Sequence, residues 1–257
     1  MKTRILIALA AGLLIAGLQS CSSSSSPSGT DNSYTPKTVK FKQGFSATYD
    51  LFLTDTTSSD PILQDSAQHN VVETVLDTNR SYGGYTHVTS TYFASSPGDS
   101  NYYYQDAQGN LWRYNYGFSR LNSYSFLVAA LGGPVDVHWV LVAKPGSPVG
   151  TTWIAKNDSA IFQALGNAKI YLKDVATTMA DTTFTIGGQS VPTTHVQHMV
   201  TATDASGVAF KGSIEIDTYI STELGITVED FFHHSTIASP TYNAKARGSL
   251  KIMTSHQ

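Results

Sequence analysis

From Phe45 onward the apolar positions recur every second residue, in runs of Thr, Val, Ile, Tyr and Phe separated by turn residues. That period belongs to strands with one dry and one wet face. The clearest case puts Val208, Phe210, Gly212, Ile214 and Ile216 on one face and Lys211, Ser213, Glu215 and Asp217 on the other. Such alternation predicts an antiparallel sheet, because parallel strands buried on both sides read as continuous apolar runs. The same reasoning predicts strands over residues 46–53, 70–77, 85–93, 102–105, 111–116, 138–143, 169–175, 182–186, 194–202, 226–233 and 249–252. Short turn-rich connectors, Asp106 to Asn110, Gly187-Gly188 and Asp204 to Gly207, make sequential strands neighbours. Two segments have helical spacing, 119–131 and a short turn at 160–165. In the first, Leu121, Phe126, Leu127 and Leu131 precede the stop Gly132-Gly133-Pro134.

About a dozen strands make a sheet that curls or splits into layers. The expected fold is mainly β: one large curved antiparallel sheet, a half-barrel or open barrel, with one or two short helices. A β-sandwich is the alternative. Residues 41–257 form one domain, for which 41% hydrophobic and 14% charged residues suffice to bury a large core. No disulfide can contribute, because Cys21 is the only cysteine.

The first forty residues follow a different pattern. Lys2 and Arg4 precede an apolar run from Ile5 to Leu18, the order of a secretory signal peptide, and the run is too short to span a bilayer. Ser22 to Ser26, Pro27, Ser28 and Gly29 then form a polar run without enough apolar area to offset its ordering entropy. Residues 21–40 therefore read as a flexible tether with a reach of about 25 Å for roughly 20 residues.

Leu18-Gln19-Ser20-Cys21 resembles the lipobox of bacterial lipoproteins, with Gln19 where that family usually carries a smaller residue. The resemblance implies that residues 1–20 are removed and that Cys21 carries the lipid, its thiol diacylglycerated and its new amino terminus acylated with chains such as palmitate. Ser22, in place of an aspartate after the cysteine, implies outer-membrane sorting in the cell envelope. Loss of Lys2 and Arg4 from 16 basic residues, against 19 acidic ones, leaves a net charge of −5. Such a chain has no counterion-release drive toward nucleic acid and no polybasic patch for anionic lipid, so its membrane partner is reached through the acyl chains.

Catalytic patterns are missing. There is no Gly-x-Ser-x-Gly elbow, no Ser-x-x-Lys at a helix start and no phosphate-cradling glycine loop, so the expectation is a protein that is not an enzyme and needs no cofactor. The eight histidines invite a metal reading. On a strand, however, His195 and His198 point to opposite faces, as do His233 and His234, so neither pair closes on one ion. Surface and edge histidines, with no metal, are the expectation.

Aromatic residues remain. Tyr102, Tyr103, Tyr104, Trp112, Tyr114 and Tyr116 crowd one hairpin, and Trp139 and Trp153 follow. One reading is cross-strand ring pairs that cover a sheet face. The other is an apolar ligand site lined by Trp112, Trp139, Trp153 and Tyr114. A curved sheet on a lipid anchor, with a helix against its concave side, resembles the LolA/LolB-like half-barrel envelope carriers in architecture, which implies an apolar interior that binds acyl chains. The alternative is a structural or interaction lipoprotein without a cavity.

Overall fold

A computed structural model describes residues 34–54, 63–94, 99–114, 139–162, 168–207, 211–233, 235–239, 242–246 and 248–257. Cys21 and the segment 119–131 lie outside the described residues, as do Val208 and Phe210. The strands are β1 (Ser46–Thr54), β2 (Leu63–Tyr82), β3 (Tyr85–Phe93), β4 (Asp99–Gln105), β5 (Leu111–Tyr114), β6 (Trp139–Ala143), β7 (Thr152–Phe162) and β8 (Ala168–Thr178). They continue with β9 (Thr182–Ile186), β10 (Gln189–Asp204), β11 (Lys211–Ser221), β12 (Ile226–Phe232), β13 (Ser235–Ser239), β14 (Tyr242–Ala246) and β15 (Ser249–His256).

All belong to one antiparallel sheet that curls into a nearly closed barrel, ordered β6-β5-β4-β3-β2-β1-β15-β12-β11-β10-β8-β7. β9 pairs with the start of β10, and the β13–β14 hairpin pairs with β11. No helix occurs among the described residues. The turn expected at 160–165 is corrected in its first half: Ala160 to Phe162 extend β7, opposite Ile170 to Ala168 of β8, where the groups facing β8 join its ladder.

Alternation explains the strands. Along β11, Gly212, Ile214, Ile216, Thr218 and Ile220 are buried while Lys211, Ser213, Glu215, Asp217 and Tyr219 face outward. β6 differs because both its faces are covered: Val140, Leu141, Val142 and Ala143 are all buried.

The core has two parts. Side chains from β4 to β6, including Tyr103, Leu111, Val140 and Val142, meet Trp153, Leu172, Val196, Val200, Ile214 and Ile216 from β7, β8, β10 and β11. Tyr49, Leu51, Val71, Val75, Phe93, Val228 and Met253 form the second cluster, which Ile186 and Val191 of the β9–β10 hairpin join.

β6 and β7 stand at the two ends of the hydrogen-bonded path, and side chains of β7 and β10 reach β6. Trp153 Nε1 donates to the Leu141 carbonyl at 2.9 Å, and His198 Nε2 meets the Val142 carbonyl at 3.1 Å. The other nitrogen of His198, Nδ1, lies 3.1 Å from both oxygens of Asp174. A carbonyl and a carboxylate are both acceptors, so the ring donates at both nitrogens only as an imidazolium. Its pKa is raised: burial opposes the charge, but Asp174, the Val142 carbonyl and the more distant Asp230 more than offset it. His198 is thus fully buried and ion-paired, which corrects the expectation that the histidines lie on surfaces and edges.

Residues 34–43 cross one rim of the barrel. Lys37 N donates to the Pro145 carbonyl, Val39 N to Gln105 Oε1 and Lys40 N to the Thr222 carbonyl. Val39 is buried, and Phe41 packs on the core beside Tyr103. Residues 34–40, expected to be part of the tether, are therefore docked on the domain. Gly225 makes room for this path: its φ is +74°, and a Cβ there would sit 2.6 Å from the Lys40 carbonyl oxygen. The strands that flank 55–62, 95–98, 115–138 and 163–167 end at the opposite rim.

Ile214→Ala is expected to cost about 2–5 kcal/mol in urea unfolding. Met199→Ala, at a side chain exposed on the outer face, should cost no more than about 0.5 kcal/mol. His198→Leu, which strands the Asp174 carboxylate in the interior, is expected to cost about 3–5 kcal/mol. The raised pKa of His198 contributes stability that is complete below the ordinary histidine pKa of about 6.5 and is lost as pH rises through the raised value. Thermal melts of the wild type should show this alkaline loss, and melts of His198→Leu/Asp174→Leu should lack it.

Candidate functional site

The residues expected to line one ligand site are divided by the sheet. Trp153 is buried in the core, with the Lys144 ammonium 5.5 Å from its ring centroid. Tyr114 and Trp139 are opposite one another in the β5–β6 ladder, their ring centroids 5.4 Å apart. Trp112, two residues before Tyr114 on the same strand face, pairs with Leu141 and donates from Nε1 to Asp106 Oδ2 at 3.1 Å. Tyr114, Trp139 and Trp112 therefore share the outer face, and Trp153 does not join them.

The tip of the long β2–β3 hairpin lies on that outer face. Tyr82 stacks on Tyr102 with centroids 3.7 Å apart, Tyr85 stacks on Tyr104 at 4.5 Å, and Trp139 Nε1 donates to the Gly83 carbonyl at 3.0 Å. These are aromatic pairs that cover a sheet face. Each ring spends much of its area on another ring of the same chain.

Inside the barrel, a polar cluster lies between the two apolar regions. Glu73, fully buried, accepts from Thr91 Oγ1 at 2.6 Å and from Lys251 Nζ at 2.9 Å. Arg113 Nη2 donates to Asn101 Oδ1 at 2.9 Å, and Nη1 lies 3.7 Å from Asp230 Oδ2. Burial raises the Glu73 pKa, but Lys251 and the Thr91 hydroxyl more than offset it, so its carboxyl is held below the ordinary range. Two acids and two bases balance, and the Lys251 ammonium also sits 4.1 Å from the Tyr49 ring centroid. A compensated set of this kind holds its side chains in place. A cavity of about 240 Å³ lies nearby, lined by Val39, Phe41, Thr78, His87, Thr89, Tyr103 and Gln105. It is smaller than the 300–1,000 Å³ typical of ligand pockets.

A second cluster of ionisable side chains is on the outer face of β10, β11 and β12. Gln197 is opposite Asp217, His195 opposite Tyr219, and Tyr219 opposite Glu229. His195 Nε2 lies 2.7 Å from Asp217 Oδ1, and His233 Nε2 lies 2.7 Å from Asp217 Oδ2. Glu215 Oε1 is 3.6 Å from His233 Nε2 and accepts from Gln197 Nε2 at 3.1 Å. Burial opposes ionisation of Asp217, yet the hydrogen bonds and charges of both imidazoles prevail and hold it at about 2. Glu229 goes the other way: burial, then Asp230 and Asp217, push it to about 7. Tyr219, half-buried and beside Asp217 and Glu229, rises to about 12.

Single-strand reasoning missed this group. His195 and His198 do face opposite ways, but each finds its carboxylate on a neighbouring strand. The visible sign was the pair Glu215 and Asp217 on one wet face. What remained hidden was the register that brings His195 and His233 to them.

No protein-family model matches the chain, and no curated protein matches it. A solved structure from Bacteroides fragilis NCTC 9343, described as that of an exported protein with a YmcC-like fold, has a TM-score of 0.38 to this chain. The two are 10% identical, and the match covers 87% of this chain and 100% of that one. A similarity of this size carries no argument about what this chain does.

The Glu229 carboxyl, raised from 4.5 to about 7, keeps its proton in the folded state over a range in which the unfolded chain loses it. It therefore makes the protein less stable as pH rises across that range. Glu229→Gln should melt higher than the wild type at pH 8 and no higher at pH 4, as followed by circular dichroism.

Proposed function

We propose that the protein is an outer-membrane lipoprotein, anchored through acyl chains on Cys21, whose β domain acts through its surface and neither carries a lipid inside nor catalyses a reaction. The observation that carries this reading is the close packing of the core among the described residues. Leu111, Val140, Val142, Trp153, Val196, Val200 and Ile216 are buried against one another in one cluster, and the neighbouring region holds the paired Glu73, Lys251, Arg113 and Asp230 charges. A carrier must keep apolar surface free for its cargo, and burying that surface against the chain's own side chains removes the drive to bind.

The chain's path supports the same reading. It is fastened to one rim of the β domain, where the Lys37 and Lys40 amides donate to the Pro145 and Thr222 carbonyls. A rigid body on a tether suits contact with a partner in the envelope.

Two measurements test this. Radiolabelled palmitate should enter the wild-type protein and not Cys21→Ala, which should fractionate as soluble. Fatty acid added to the Cys21→Ala form should leave its tryptophan emission unchanged. A saturable emission change, weakened by Trp112→Ala or Trp139→Ala, would restore the carrier reading.

A further inference from the structure

We propose that Glu215, Asp217 and His233 bind one divalent transition-metal ion of the zinc class on the outer face of the barrel. Glu215 and Asp217 are two residues apart on β11, so both side chains leave the same face. On the next strand Phe232 pairs with Ile216, and His233 N donates to the Glu215 carbonyl at 3.0 Å, which sets the imidazole beside both carboxylates. One donor atom from each of the three residues lies within 4.8 Å of the other two.

The separations suit a small ion. Bonds of about 2.0–2.2 Å in a tetrahedral shell place ligand atoms roughly 3.2–3.6 Å apart. His233 Nε2 is 3.6 Å from Glu215 Oε1 and 2.7 Å from Asp217 Oδ2, so the second contact opens by roughly half an ångström to admit the metal at the bond lengths above.

The groups around the site restrain its ligands. His195 Nε2 holds Asp217 by its other oxygen, Oδ1, at 2.7 Å, and His195 is itself stacked on Tyr219 with centroids 4.2 Å apart. Gln197 holds Glu215, and the Phe231 ring lies 4.0 Å from that of His233. Supporting contacts of this kind orient ligands and contribute to metal affinity. His195 is a positioning residue here, since Asp217 stands between it and the ion.

The donor set selects the metal. One imidazole nitrogen and two carboxylate oxygens, with no thiolate, favour zinc, manganese, cobalt or ferrous iron over cuprous copper, and the imidazole disfavours calcium and magnesium, which take oxygen ligands. With the His233 side chain 25% exposed and that of Glu215 36% exposed, solvent reaches the ion, which leaves a coordination position for water or for a ligand atom from a partner.

The test uses the full-length chain carrying Cys21→Ala, which removes the only thiol, kept in detergent and freed of metal by a chelator. Calorimetric titration with zinc chloride should show one saturable equivalent with a Kd of about micromolar or tighter, and cobalt chloride should produce visible d–d absorption. Glu215→Gln and His233→Ala should each weaken binding at least tenfold and remove the cobalt bands. His195→Gln should weaken it about 10- to 100-fold while the bands persist at saturation. Because Glu215 and His233 are partly exposed, circular dichroism should show both variants folded. Zinc should raise the melting temperature of the parent and of neither variant. Absence of a saturable equivalent, or equal affinity in the parent, Glu215→Gln and His233→Ala, would overturn the assignment.

Discussion

A sheet that ends in two edge strands must dispose of the backbone groups along them, and here the closure of the barrel depends on how β6 is met. β5 supplies its ladder on one side. Trp153 and His198 then take the carbonyls of Leu141 and Val142 with side-chain donors. An open edge invites pairing with another chain, and a buried carbonyl without a donor is costly, so these two contacts answer both problems. They also bear on the raised pKa of His198 in a dry interior, since the Val142 carbonyl is one of its causes. Asp174 supplies the counter-charge, and Asp174 lies on β8, so three strands are tied through one ring.

With the edges brought together, polar groups separate into two populations. Those inside are largely buried and paired in charge: Glu73 with Lys251, and Arg113 with Asp230. Those on the outer face of β10 to β12 are only partly buried, and two imidazoles converge on one carboxylate with a second carboxylate beside them. The same residue types therefore have opposite prospects. The inner set holds strands in register, whereas the outer set has solvent access and atoms placed to share an ion.

The aromatic residues follow from the same geometry. The outer face of β4 to β6 carries Tyr102, Tyr104, Tyr114 and Trp139. The β2–β3 tip supplies the cover with Tyr82 and Tyr85, while Trp139 reaches back to the Gly83 carbonyl. A ligand at this face would have to compete with rings already stacked at close range.

The sequence alone determined the fold class. A period of two needs no partner to be read, because side-chain direction along a strand is a local property, and Ile214, Ile216, Glu215 and Asp217 face as their alternation requires. Turn chemistry was equally local: Asp106 Oδ1 accepts from the backbone of Gln108 and Asn110, as the run Asp106 to Asn110 implied. Tertiary structure decided everything that needs two strands. β7 was hidden because Trp153 and Ala155 point inward while Ile154 is exposed, an apolar residue on the wet side that blurs the alternation. The raised pKa of His198 depends on Asp174, 24 residues away, and the carboxylate–histidine group depends on the registers of β10, β11 and β12. Whether the barrel is hollow or filled depended on curvature. That is a sum of twists over many strands, and no single segment records it.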